Sequence, residues 1–237
     1  MKNRKAKANL MVDESFVGKI CDYALLKKTD SVLEIGAGTG NLTTELLDRC
    51  GKVYALEKDR GFVTRLEDRF MQAKNLEIIQ GNALKVPFPE TDKIVSNLPY
   101  DISKKITEKI LNHNFILAVL VYQKEFADKL AAKPGSENYR FISALTQSCA
   151  KVEVLDTIPP NAFNPQPKVS SAIVRLTPSR VAEEDYILFL RRLFNQKNKK
   201  ISKVLKQDDL GALGERRAYT LPPETLLSIY YGRKQNQ

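Results

Sequence analysis

The stretch Ser31-Val-Leu-Glu-Ile-Gly-Ala-Gly-Thr-Gly40 is followed at once by Asn41-Leu-Thr-Thr-Glu-Leu-Leu47. An apolar run, three closely spaced glycines and a helix-forming segment predict a strand, a sharp turn and a helix. Gly36, Gly38 and Gly40 let the backbone turn tightly and let a ligand approach it closely. The spacing is Gly-x-Gly-x-Gly, which is neither the dinucleotide fingerprint nor a Walker loop. A second apolar run, Lys52-Val-Tyr-Ala-Leu-Glu57, ends in an acid 21 positions after Gly36. That predicts a carboxylate at the tip of the neighbouring strand, within reach of a ribose hydroxyl pair. Loop and acid together, without a pyrophosphate fingerprint, favour an adenosine ligand such as S-adenosylmethionine. The plainer alternative has Glu57 beginning the next helix with Asp59.

The same alternation continues along the chain. A helix is predicted from an Asp13 cap to about Leu26, with Phe16, Val17, Ile20 and Ala24 at helical spacing. Leu76–Gln80 is a third strand, and the polar Asn82 just beyond it is placed to reach an adenine ring. Lys93–Asn97 is a fourth strand and Phe115–Tyr122 a fully apolar fifth, suited to the middle of a parallel sheet. Helices are expected at 103–111, 124–132 and 140–148, and two more strands at 151–155 and 171–176. Strands alternating with helices imply a doubly wound, mostly parallel sheet of seven strands. After Pro178 the pattern becomes helical from Glu183 to Lys206, with a last short helix starting at Pro222-Pro223-Glu224. The expected organisation is an α/β domain over residues 1–178 and a small all-helical domain over 179–237.

The fourth strand opens into Asn97-Leu98-Pro99-Tyr100. Asn97 offers a side-chain carbonyl, Leu98 a backbone carbonyl whose direction Pro99 can hold, and Tyr100 a flat face for stacking. These are the groups an adenine amino nitrogen and ring require, although Asn-x-Pro is also common in ordinary turns. A second aromatic ring, Phe163, sits in the proline-rich loop 158–168. It is either tucked into the core or held out to stack.

The formal net charge is +10. Residues 1–9 carry four basic side chains and residues 191–206 carry seven, with no acid in either segment, so these two stretches account for the whole excess. Unmixed basic segments point to a polyanion, and nucleic acid fits better than a membrane because no amphipathic anchor accompanies them. A merely solvated basic face is the plainer alternative. No apolar run is long enough to span a membrane, and the N-terminus has no apolar segment of the secretory kind. Cys21, Cys50 and Cys149 lack metal-ligand spacing and are expected to be buried thiols in a reducing cytosol. His113, the one histidine, lies among polar neighbours and is expected at the surface.

Taken in order, Asn9-Leu-Met-Val-Asp13, Glu34-Ile-Gly-Ala-Gly-Thr-Gly40, Asn97-Leu-Pro-Tyr100, Gln123-Lys-Glu, Lys133-Pro-Gly-Ser, Pro159-Pro-Asn-Ala-Phe163, Pro165-Gln-Pro-Lys-Val169 and Phe194-Asn-Gln-Lys-Asn-Lys-Lys200 resemble the ribosomal RNA adenine dimethyltransferases of the KsgA-like, small-subunit kind. The resemblance covers nearly the whole chain and implies a Rossmann-like class I methyltransferase fold. Departures are few. The family usually has Gln-Asn-Phe where this chain has Ala8-Asn9-Leu10, Asp in place of Asn82, and Gly in place of Arg140.

The resemblance implies methyl transfer from S-adenosylmethionine to the exocyclic nitrogen of two adjacent adenosines in a hairpin near the 3′ end of small-subunit rRNA. Asn9, Met11, Gly36, Gly38, Glu57, Asn82 and Asn97 would hold the cofactor. Asn97 and Leu98 would accept the two amino hydrogens, and Tyr100 and Phe163 would sandwich the extruded base. Arg191, Lys197, Lys199, Lys200 and Lys203 would grip phosphates. The expected protein is a cytoplasmic monomer acting on the pre-small ribosomal subunit. Two other readings are a non-catalytic RNA-binding assembly or transcription factor on the same fold, and a large-subunit methyltransferase of the erythromycin-resistance type.

Overall fold

The structure is a computed structural model and describes residues 9–206 and 210–235. The basic N-terminal arm falls mostly outside these residues, as does the start of the polar segment 207–220. The described chain begins with a short strand β1 (Leu10–Met11), helix α1 (Glu14–Tyr23), β2 (Ser31–Ile35), α2 (Asn41–Arg49), β3 (Lys52–Glu57), α3 (Arg60–Arg69), β4 (Leu76–Gln80), β5 (Lys93–Asn97) and α4 (Ser103–Leu111). It continues with β6 (Leu117–Gln123), α5 (Lys124–Leu130), α6 (Phe141–Cys149), β7 (Ala150–Ile158), β8 (Phe163–Asn164), β9 (Ser171–Pro178), α7 (Glu184–Asn195), α8 (Ile201–Leu205) and α9 (Pro223–Gln235).

Seven strands form one sheet in the order β4-β3-β2-β5-β6-β9-β7. The first five are parallel, and β9 runs antiparallel to both β6 and β7. Side chains alternate between the two faces. In β6, Ala118, Leu120 and Tyr122 join one core, while Leu117, Val119 and Val121 join the other. Helices on both faces explain why this strand reads as continuously apolar. The strand order reverses between β2 and β5, and the crevice beyond their carboxyl ends is where such sheets bind ligands. A separate two-stranded ladder pairs β1 with β8, so the N-terminal segment lies against the proline-rich loop.

The helix starts follow local chemistry. The Asp13 carboxylate accepts from the Ser15 amide to cap α1, and Asp59 does the same for Gly61 at α3. Asp59 therefore opens α3, while Glu57 remains the last residue of β3.

Two sequence expectations change in the C-terminal part. The continuous helix over 183–206 is two helices, α7 and α8, separated by Gln196–Lys200. Between Phe194 and Ile201 no side chain is apolar, so a continued helix would have had no core-facing anchor for nearly two turns. The break instead lets the Ile201 amide bond the Arg216 carbonyl and puts the Ile201 side chain in the core. The last helix, expected to be short, runs for 13 residues. Apolar packing crosses the expected boundary at residue 178. Tyr186, Leu190, Leu193 and Phe194 of α7, together with Leu226 and Ile229 of α9, belong to the same core as Phe141, Ile142 and Leu145 of α6.

All three cysteines are buried, and burial raises their thiol pKa values to about 12 for Cys21 and about 11 for Cys50 and Cys149. His113 is not the surface residue the sequence implied. It is half-buried, edge-on to Phe88 at 5.6 Å, and desolvation lowers its pKa. No helix among the described residues is long and apolar enough to cross a membrane.

Candidate active site

A cleft of about 480 Å³ opens at the carboxyl ends of β2, β3 and β5. The turn after β2 forms its floor. Gly36 and Gly38 have φ of +80° and +57°, which only glycine adopts without strain. A Cβ on Gly38 would stand 2.8 Å from Leu10, and one on Gly36 would stand 3.2 Å from the Pro99 ring. The bare backbone is thus what allows the N-terminal segment, the glycine turn and the loop after β5 to come together.

Glu57, 6% exposed, closes one side. Its Oε1 accepts from the amides of Lys58 and Asp59 at 2.8 and 2.9 Å, and its Oε2 accepts from the Gly38 amide at 3.0 Å. A carboxylate has about four acceptor directions, so three are taken and one is left for a ligand hydroxyl. Behind it, Glu34 of β2 is fully buried and accepts from the Thr43 hydroxyl at 2.6 Å. Desolvation pushes its pKa up to about 8; the Thr43 bond opposes this and the charge on Glu57 adds to it. Asn82 lines the cleft but is exposed, and its Oδ1 accepts from the Leu84 amide at 2.9 Å. That bond commits the side-chain oxygen to shaping its own loop.

Asn97 ends β5. Its Nδ2 donates to the Asn9 backbone carbonyl at 3.1 Å, while its Oδ1 is buried and has no hydrogen-bond partner among the described residues. Because the donor end is held by Asn9, the acceptor end stays unpaired. An unpaired buried acceptor costs about 1–3 kcal/mol, so its presence calls for a functional account. Pro99 follows with φ −61° and fixes the chain direction after Leu98, whose side chain is 2% exposed. Tyr100 is half-buried on the cleft wall, with its hydroxyl 2.5 Å from Ser171 Oγ. Burial raises its phenol pKa.

Asn9, Gly36, Gly38, Glu57, Asn82, Asn97, Leu98, Pro99 and Tyr100 therefore share one cleft, as the sequence implied. Met11 and Phe163 do not. Met11 is 5% exposed and Phe163 is 1% exposed, facing each other across the β1–β8 ladder in the core with Val17 and Ile20. Neither has a polar atom that needs water, and full burial of such a side chain is worth about 1.5–3 kcal/mol. Tyr100, with its hydroxyl, keeps a position at the wall. The Met11 backbone carbonyl accepts from Asn41 Nδ2 at 2.8 Å, which ties β1 to the start of α2.

The basic segment also divides. Arg191 is paired with Glu108 of α4, and its guanidinium lies 5.3 Å from the centre of the Phe141 ring, so it ties α7 to the sheet domain. Lys200 pairs with Glu215. Lys197 is half-buried, whereas Lys199 and Lys203 are exposed. Sequence reasoning missed the hydrogen bonds of Ser171 to Tyr100 and of Asn41 to Met11. Neither carries a local signal, because their partners lie 71 and 30 residues away.

Two solved structures with this architecture are RNA adenine or rRNA methyltransferases by name. A dimethyladenosine transferase from Plasmodium falciparum superposes with a TM-score of 0.83 at 29% identity, over 95% of this chain and 98% of that one. A 23S rRNA methyltransferase, ErmE, superposes with a TM-score of 0.73 at 26% identity, over 94% and 98%. The fold is that of a class I methyltransferase. The sequence matches the family described as ribosomal RNA adenine dimethylase over residues 1–219, and the chain belongs to that family. It is 41% identical to a probable ribosomal RNA small subunit methyltransferase A of Methanosarcina mazei, over 93% of this chain and 89% of that protein. The protein of the same name from Methanothermobacter thermautotrophicus is 40% identical, over 93% and 87%.

Proposed function

We propose that this chain is an S-adenosylmethionine-dependent adenine N6-dimethyltransferase acting on two adjacent adenosines in a hairpin near the 3′ end of small-subunit rRNA. The buried Oδ1 of Asn97, which has no hydrogen-bond partner among the described residues, carries the reading. An adenine amino group brings hydrogen-bond donors to this acceptor and removes its desolvation penalty.

The residues present fit the cofactor. The Gly36–Gly38 turn leaves a bare backbone floor, and Glu57 keeps one acceptor direction for a ribose hydroxyl. S-adenosylmethionine, when bound, supplies an electrophilic sulfonium methyl. Asn9, Gly36, Gly38, Glu57 and Asn82 would hold it, of which Asn82 contributes through its loop.

The amino nitrogen of adenine is a poor nucleophile because its lone pair is delocalised into the ring. Asn97 Oδ1 and the Leu98 carbonyl accept its two hydrogens, favour a pyramidal nitrogen and free the lone pair. Positioning and preorganised dipoles therefore carry the rate. Tyr100 stacks on the base once it has left its own stack, a contact worth about 1–3 kcal/mol. Lys199 and Lys203 are exposed, whereas Arg191 and Lys200 are held in ion pairs with Glu108 and Glu215, so Lys199 and Lys203 serve as phosphate contacts. The protein acts as a cytoplasmic monomer on the pre-small ribosomal subunit.

The test is methylation of small-subunit particles lacking the modification, with the modified nucleotides mapped. Two dimethylated neighbours in the 3′ hairpin support the reading. Modification of large-subunit RNA, or no S-adenosylmethionine binding by calorimetry, refutes it in favour of the resistance-type enzyme or of a scaffold.

A further inference from the structure

Ser171 opens β9, is fully buried, and pairs in register with Gln123 of β6 and Ile158 of β7. Its Oγ lies 2.5 Å from the hydroxyl of Tyr100, 71 residues earlier in the chain. The backbone of Tyr100 is already fixed, since it follows Pro99 and its carbonyl accepts from Ser103 Oγ at 2.9 Å. The side chain is not fixed by packing alone, because Tyr100 stands half-exposed on the cleft wall and ring torsions of this kind are broad. The only hydrogen bond found for the phenol among the described residues is the one to Ser171. Ser171 itself cannot drift, since it lies between two strands that are hydrogen-bonded to its own.

We propose that Ser171 is a positioning residue that sets the pitch of the Tyr100 ring, and so the plane in which the target base is held. The inference rests on the proposed adenine methylation, since it assigns Ser171 a part in that reaction. Ser171 touches neither substrate nor cofactor; it acts through the phenol oxygen. Burial keeps the Tyr100 phenol neutral, so the contact is an ordinary O–H···O bond with no charge to lose near neutral pH.

The experiment is a double-mutant cycle on single-turnover methyl transfer to small-subunit particles, with RNA and S-adenosylmethionine saturating. Ser171→Ala and Tyr100→Phe remove the same bond from opposite ends. Each is expected to slow transfer about 2- to 12-fold, the rate equivalent of one neutral hydrogen bond. The double variant is expected to be no slower than the slower single one. S-adenosylmethionine affinity by calorimetry is expected to match the parent in all three, a separation that general damage to the fold would not produce. If Ser171→Ala folds poorly, Tyr100→Phe alone still tests the bond, since its ring stays in place and only the hydroxyl is lost. The proposal is overturned if the two effects multiply, if either single variant transfers methyl at the parent rate, or if cofactor affinity falls in step with rate. An inactive parent overturns the methylation reading as well, which separates that failure from an additive cycle in an active parent.

Discussion

Asn97→Ala separates stability from catalysis more sharply than other changes in the cleft. The substitution removes a buried acceptor with no partner among the described residues, which releases a penalty of about 1–3 kcal/mol. It also removes the Nδ2 bond to the Asn9 carbonyl, worth about 0.5–1.5 kcal/mol. The central values leave the variant about 1 kcal/mol more stable than the parent, a rise in Tm of about 2–4 °C for a chain of this size. Catalysis moves the other way. Loss of a polar group aimed at the reacting atom costs about 10²–10³ in rate. The assays are thermal unfolding without ligand and single-turnover methyl transfer at saturating S-adenosylmethionine. RNA affinity should hardly change, because phosphate contacts dominate it. A variant that is clearly less stable, or one that transfers methyl at the parent rate while folded and cofactor-bound, refutes the assignment of Oδ1 as the adenine acceptor. The expected pattern is the trade-off of a site that stores strain for function.

Glu57→Gln keeps the side chain's size but places a donor among three backbone donors, so S-adenosylmethionine affinity measured by calorimetry should fall by about 1.5–3 kcal/mol in a protein that still folds. An unchanged dissociation constant would remove Glu57 from the site. Changing Lys199 and Lys203 together to Gln should flatten the salt dependence of RNA binding by about 1.4 in logarithmic slope, with cofactor affinity unaltered; salt titrations of the two proteins decide it. For Glu34, burial raises the folded-state pKa from the ordinary value of 4.5 to about 8. Between these values the unfolded chain ionises while the folded one keeps its proton, so this group lowers stability as pH rises from about 4.5 to 8 and adds no further slope above that. Glu34→Gln should remove that decline in denaturant unfolding followed across the window, and identical pH profiles would show that Glu34 is not the group responsible.

The sheet was legible because its strands are short apolar runs closed by glycine or polar residues, and the run at Leu117–Gln123 is buried on both faces. The Glu57 and Asn97 positions were legible for the same reason: each is the polar residue that ends such a run. What the sequence could not disclose was decided by partners far along the chain. Phe163 had two outcomes open to an apolar ring in a polar loop, and its pairing with Met11, some 150 residues earlier, selected the buried one. Arg191 and Lys200 read as free cations because Glu108 and Glu215 are distant in sequence. The break between α7 and α8 was visible only as a missing apolar anchor, a weaker signal than proline or glycine.

The core that runs unbroken from α6 into α7 and α9 turns the molecule into a pair of calipers. In the function proposed above, one jaw is the acceptor at Asn97 and the other the exposed face that carries Lys199 and Lys203. With Arg191 clamped to Glu108 and Phe141 at the joint, the gap between the jaws is set by packed side chains instead of by a swinging linker. Under that proposal an RNA that engages both jaws would need its phosphates and its target base at the separation that this packing sets.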